Sequence, residues 1–185
     1  MPSPSQPRLS LAEWLVLCLV REAPSHGFAI ARILAGDGDL GHVWRVPKPV
    51  VYRALQRLEA AQLVATVEVQ PSSAGPARSL VAVTDTGSRV AAAWLSRPVT
   101  HNRDIRSELL AKLALLERAG EDPGPLLAAQ RDQLAPVAEG LLEQLHSVSG
   151  FDRTLVLWRY ETVTATLRFL EALQEPSMAG RTGNK

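Results

Sequence analysis

The sequence predicts a mainly α-helical chain with one small β-hairpin. Three observations carry this reading. Apolar residues recur at helical spacing through most of the chain, while residues 63–84 alone alternate like two strands around a breaker-rich loop. The 46% hydrophobic content holds only three Phe and two Tyr, so the core must be built from Leu, Ala and Val, as in helical proteins. A length of 185 residues allows one sizeable core or two small ones.

The elements follow in order. Residues 9–23 (LSLAEWLVLCLVREA) set Leu11, Leu15 and Leu19 on one line with Trp14, Leu17 and Cys18 beside them. That face is too broad for one neighbour, and the helix is expected to be buried on more than one side. Pro24 and Ser25 mark a turn, after which Phe28, Ile30, Ile33 and Leu34 form a second helix that GDGDLG breaks with three glycines and two acids. In the third helix Val51, Leu55, Leu58 and Leu63 can face a core. LVATVEVQ then alternates Leu63, Ala65, Val67 and Val69 against Val64, Thr66, Glu68 and Gln70, and the PSSAGP loop returns the chain as ARSLVAVT. Three helices followed by a hairpin, in this order, make a winged helix-turn-helix.

A fourth helix, GSRVAAAWL, runs up to a boundary at residues 96–104, which divides a winged helix-turn-helix domain (9–98) from a helical C-terminal domain (99–174). Beyond it Ile105, Leu109, Leu113 and Leu116 form a stripe that GEDPGP stops. From 126 to 146, Leu127, Leu134, Leu141 and Val148 recur every seven residues with Ala138 and Leu145 alongside, a repeat suited to packing along another helix. Pro136 inside this run predicts a kink or a split. The last helix carries Leu155, Trp158, Thr162, Thr166, Phe169 and Leu173 on one side and Val156, Tyr160, Val163, Leu167 and Leu170 on another. Residues 1–8 and 175–185 are expected to be a disordered start and a flexible tail.

The third helix points to function. Its outer face is Tyr52, Arg53, Gln56 and Arg57, and residues 45–57 contain four cations (Arg45, Lys48, Arg53, Arg57) and no acid. Arg53 and Arg57 lie one turn apart, where both can meet phosphates or a guanine edge. Such a helix suits a major groove, although a solvated amphipathic helix would look the same in isolation. The hairpin that follows adds weight, with Ser72 and Ser73 at its tip and Arg78 at its base within reach of sugar and phosphate. The charge is also uneven. Residues 1–98 carry ten Lys/Arg and seven Asp/Glu, net +3, whereas residues 99–185 carry ten and twelve, net −2.

Enzymatic readings find no support in the pattern. The four histidines, His26, His42, His101 and His146, are scattered, with no pair at the spacing that puts two ligands on one helix face. Neither a Walker-type phosphate loop nor a Gly-x-Ser-x-Gly elbow occurs, and Cys18 has no neighbouring His to activate it. No catalytic residue, metal or cofactor is expected. His26, at the start of the second helix, is expected to hydrogen-bond backbone. A lone cysteine, with no signal peptide and no long apolar span, leads to the expectation of a cytoplasmic protein without disulfides or membrane association.

At this point a family resemblance is visible. HGFAI at 26–30, VYRALQRLEAAQLV at 51–64 and TDTG at 84–87 resemble PadR-type transcriptional regulators, matching the family's His-Gly-Tyr/Phe signature, its tyrosine-containing recognition helix with an Arg-Leu-Glu continuation, and its Thr-x-x-Gly entry to the next helix. Pro49 and Val50 stand where the family carries a glycine and a small hydroxyl residue that help dock the helix on phosphate, and Val81 replaces its wing tyrosine. Lys48 is the substitute for the phosphate contact, and Pro49 is tolerated in the first helical turn. The resemblance implies a homodimeric repressor that binds a pseudo-palindromic double-stranded operator through Arg45, Lys48, Tyr52, Arg53, Gln56, Arg57, Ser72, Ser73 and Arg78. One chain's helices cannot easily cover both faces of the last helix, so a dimer interface is expected at Leu155, Trp158, Thr162, Phe169, Leu170 and Leu173, together with Leu11 and Leu15 of the first helix. Release by an aromatic or lipophilic small molecule is expected, with Trp14, Trp94, Trp158 and Tyr160 as candidate pocket walls. The competing reading is a winged-helix module that binds another protein and lacks specific DNA binding.

Overall fold

The computed structural model describes residues 9–70 and 78–174. Ser72 and Ser73, like both expected disordered ends, lie outside the described residues, and of Arg78 only the backbone is described. Helices dominate, with one small three-stranded antiparallel sheet. The described residues fall into two compact units: residues up to 96 together with 107–121, and residues 97–106 together with those from 122 onward.

In the first unit, α1 (Leu11–Glu22) starts at a capping box. The Ser10 hydroxyl accepts from Glu13 N–H, and the Glu13 carboxylate accepts from Ser10 N–H at 2.7 Å. Every residue from Glu13 to Val20 is buried, because α3 (Lys48–Ala60), α4 (Asp85–Leu95) and α5 (Leu110–Ala119) pack around the helix. Cys18 lies in this core, where burial pushes its thiol up to about 12, leaving it protonated and unreactive at neutral pH.

The sequence reading made Pro24 and Ser25 a turn, but the structure forms a two-residue strand, β1 (Ser25–His26), before α2 (Gly27–Ile33). Ser25 pairs with Val81 and His26 with Leu80, so the sheet order is β1-β3-β2. The imidazole reinforces this pairing, as Nδ1 of His26 lies 3.0 Å from the Ser79 carbonyl, the backbone partner expected for a fold residue.

The recognition-type helix α3 (Lys48–Ala60) ends in a Schellman arrangement. Leu63 N–H reaches Leu58 C=O and Gln62 N–H reaches Glu59 C=O, both at 2.9 Å, with Gln62 left-handed at φ 57°. This turn delivers the chain directly into β2 (Val64–Gln70), which pairs with β3 (Arg78–Val83). The alternation of Leu63, Ala65, Val67 and Val69 does not become a buried face. Leu63 and Val64 are buried in succession where the helix-to-strand turn enters the core, and past the register shift between Thr66 and Glu68 Val67 and Val69 are 58% and 60% exposed. Val81 takes the place of the expected wing tyrosine and is buried in the sheet.

Thr84 fastens the wing to the next helix, α4 (Asp85–Leu95). Its hydroxyl donates to the Gln62 carbonyl at 2.8 Å and accepts from Gly87 N–H at 3.0 Å. A Cβ at position 87 would stand 1.9 Å from the Leu63 carbonyl oxygen, so the Thr-x-x-Gly pattern records a backbone contact that only glycine allows. A π-helical turn (Ile105–Leu109) opens into α5 (Leu110–Ala119), which packs on α1 and so joins the first unit. Arg118 of α5 bridges Glu22 and Asp39, each at 2.8 Å, and Arg21 pairs with Glu121 at 2.8 Å.

The second unit is a helical hairpin of α6 (Gly124–Gln144) and α7 (Gly150–Gln174). Leu127 and Leu134 of the seven-residue repeat are buried in it, with Leu145 alongside, whereas Leu141 and Val148 are half-buried. Pro136 does not split α6, which remains one helix through it. Buried Gln130 holds Val99 by both amide atoms, accepting from its N–H at 2.6 Å and donating to its carbonyl at 3.1 Å. Val156, Val163 and Leu170 form the buried face of α7, whereas Phe151, Leu155, Trp158, Phe169 and Leu173 are exposed.

Candidate nucleic-acid interface

Helix α3 is strictly two-faced. Val51, Ala54, Leu55 and Leu58 are buried against α1 and α2, which leaves Tyr52, Arg53, Gln56 and Arg57 on the outer side. Its start has no side-chain cap. Pro47 is the N-cap with Pro49 in the first turn, and Val50 and Val51 both donate to the Pro47 carbonyl. The hydroxyl and backbone donors that an N-terminus would offer an anion are therefore few, and the positive charge there comes from Lys48.

Lys48 does not stand alone. Its ammonium lies 5.3 Å from the Phe28 ring centroid and 6.0 Å from that of Tyr52. Sequence reading placed Phe28 among the apolar residues of the second helix, yet it is 57% exposed. The signal was available: buried Ile30 and Leu34 lie four apart, and a residue two before Ile30 points away from their line. Gly27 explains how these groups approach, since a Cβ there would meet Tyr52 Cε1 at 2.9 Å and Leu55 Cδ1 at 3.1 Å. The His-Gly signature thus reads as a β-pairing histidine followed by a glycine that lets α2 sit against the α3 tyrosine.

Arg45 is exposed in the loop before α3, near Gly36, and neighbours Trp44, another exposed aromatic that the sequence reading did not single out. Among the described residues, Arg45, Arg53 and Gln56 have no recorded hydrogen bond or ion pair and are available to a partner. Arg57 differs. Its Nη1 lies 2.9 Å from Oε1 of Glu13, a carboxylate only 3% exposed. Glu13 was missed at the sequence level, although Ser10 three residues before it is a capping-box pattern. The wing is tied to α3 by Glu59, whose Oε1 accepts from Thr66 N–H at 3.2 Å and Thr66 Oγ1 at 2.9 Å.

The candidate effector residues divide between the units. Trp14 and Trp94 stack on each other in the first, with centroids 5.0 Å apart and planes 5° from parallel, a spacing that leaves no room for a third ring. Buried Lys112 sits 4.7 Å over Trp94 and pairs with Glu108 at 2.8 Å. Trp158 and half-buried Tyr160 lie on α7 of the second unit, with Trp158 64% exposed. Two recesses in the first unit, of about 410 and 300 Å³, are lined from α2 and its following loop by Phe28, Arg32 and Asp37, and not by the tryptophans. Of the expected interface residues, Leu15 and Leu170 are already covered within the chain. Among the described residues no cluster of His, Cys, Asp or Glu could hold a metal ion, and no helix is long and apolar enough to cross a membrane.

Residues 16–93 match the transcriptional regulator PadR-like family. Among solved structures, the chain is similar to Bacillus subtilis PadR in complex with operator DNA, at 17% identity over 89% of this chain and 97% of that one, with a TM-score of 0.47. It is also similar to smu.1604c from Streptococcus mutans (17% identity, 87% and 96% covered, TM-score 0.43) and to Bacillus subtilis PadR in complex with p-coumaric acid (15% identity, 88% and 93% covered, TM-score 0.41). No curated protein matches the chain.

Proposed function

We propose, from the match of residues 16–93 to the PadR-like family of transcriptional regulators, that this chain is a sequence-specific DNA-binding regulator, a homodimeric repressor that acts in the cytoplasm and is released by a small molecule. One observation supports the DNA-binding reading above the others: the outer face of α3 is cationic and hydrogen-bonding, carries no acid through Arg57, and backs onto a fully buried apolar face. Arg53 and Gln56 are proposed to read base edges, with Lys48 and Arg45 on phosphates and Tyr52 and Phe28 against sugar or thymine methyl groups. Ser72, Ser73 and Arg78 are proposed wing contacts.

The exposed stripe of Phe151, Leu155, Trp158, Phe169 and Leu173 on α7 supports the dimer, because apolar rows of this length on a helix mark an interface. Release requires an effector that binds the two conformations with different affinity. Of the four aromatic candidates, Trp158 and Tyr160 stand outside the core stack, and Trp158 is the more exposed to an aromatic or lipophilic ligand.

The test is binding of the full chain to a labelled fragment of its own promoter, against unrelated competitor, at two salt concentrations. Preferential binding that weakens steeply with salt, a salt slope shallower by about 0.9 in Lys48→Gln, and a lost preference for the promoter fragment in Arg53→Gln are expected. Binding that is insensitive to salt and to Arg53→Gln would favour the protein-interaction reading.

A further inference from the structure

Glu13 belongs to a core helix, yet its carboxylate holds an arginine of the recognition helix. Oε2 accepts from Ser10 N–H at 2.7 Å and Ser10 Oγ at 3.0 Å, and Oε1 takes Arg57 Nη1 at 2.9 Å, so both oxygens are engaged. The Glu13 side chain is 3% exposed in the pair, so removing one partner leaves a poorly solvated charge behind. Arg57 itself is 63% exposed. Arg53, one turn earlier on the same face, has no such partner among the described residues.

We propose that Glu13 is a positioning residue that withholds Arg57 from DNA: the pair acts as a strut fixing the seat of α3 on α1, and the uncompensated cations Arg45, Lys48 and Arg53 do the contacting. This rests on the DNA-binding reading above. The charge argument is direct. A carboxylate in contact with the guanidinium cancels its field at the DNA, so Arg57 adds no released counterion while the pair is intact. Breaking the pair from the Glu13 side frees the cation for a phosphate; breaking it from the Arg57 side uncovers the Glu13 carboxylate and loosens α3 on α1 but removes no phosphate contact.

The two variants therefore behave oppositely in the slope of log affinity against log salt, which changes by about 0.9 for each phosphate neutralised on duplex DNA. The full chain, Arg57→Gln, Glu13→Gln, the double variant and Lys48→Gln are titrated on operator and on unrelated DNA. Arg57→Gln is expected to keep the parent slope while losing preference for operator, because α3 is no longer held in register. Glu13→Gln is expected to steepen the slope by about 0.9 and to raise affinity for unrelated DNA, and the double variant to return to the parent slope. A strut with no electrostatic role would not steepen anything. A slope shallower by about 0.9 in Arg57→Gln, matching Lys48→Gln, overturns the proposal, as does an unchanged slope in folded Glu13→Gln. If Glu13→Gln does not fold, the Arg57→Gln slope decides alone, since that side chain is largely solvated. A parent chain with no salt-dependent binding contradicts the DNA-binding reading and this inference with it, a result recognisable because every variant is then flat.

Discussion

Gln62 is the one residue other than glycine with positive φ among those described, at 57°. It occupies the left-handed position of the Schellman turn that joins α3 to the wing, where a side chain costs about 1 kcal/mol relative to glycine. Since the Gln62 side chain is exposed, Gln62→Gly should stabilise the chain by up to about 0.5 kcal/mol after the extra unfolded-state freedom of glycine is subtracted, read as a slightly higher denaturant midpoint. A lower midpoint would mean that the glutamine side chain holds the turn. At this scale the sequence was most legible where a motif encodes a backbone approach. Gly27 and Gly87 are such positions, each facing a group that a Cβ would strike. It was least legible at Glu13: its bond to Ser10 is local and patterned, but its pairing with Arg57 depends on how two helices cross, and no spacing in the chain announces that.

Among the elements, long amphipathic helices were read correctly because burial of one face imposes a period that many residues share. Short or irregular elements were not. β1 has two residues and hence no period, and it exists only because β3 has a free edge beside it. The hairpin was visible from its turn chemistry, but its faces were not, because the shift between Thr66 and Glu68 breaks the alternation on which a face assignment depends. The proline in α6 gives an element-level test. Pro136 lies inside an unbroken helix and is exposed, so the peptide group of Asp132 that loses its partner can turn to water. An interior proline costs about 3 kcal/mol and returns at most about 1 through a stiffer unfolded chain. Pro136→Ala is therefore expected to raise stability by about 2 kcal/mol in denaturant unfolding followed by far-ultraviolet dichroism. No gain would show that α6 already bends there to fit α7.

For the whole molecule, composition and hydrophobic pattern were enough to place a winged head before a helical tail, but they grouped the helix that became α5 with the tail. In the structure Arg118 and Glu121 bind α5 to Glu22 and Arg21 of α1, and its apolar side packs there too. A stripe of leucines states that a helix will be buried and is silent about which neighbour buries it. The same limit applies to α7, where two apolar sides were visible in sequence and only the structure separates the side that α6 covers from the side left open. The proposed dimer on that open side, with two recognition helices about 34 Å apart, makes the account's central claim geometric. Footprinting of the full chain on its own promoter tests it most directly. The expected result is two protected half-sites of inverted sequence with centres about 10–10.5 base pairs apart or a multiple of that. Protection no different from that on unrelated DNA would contradict the claim.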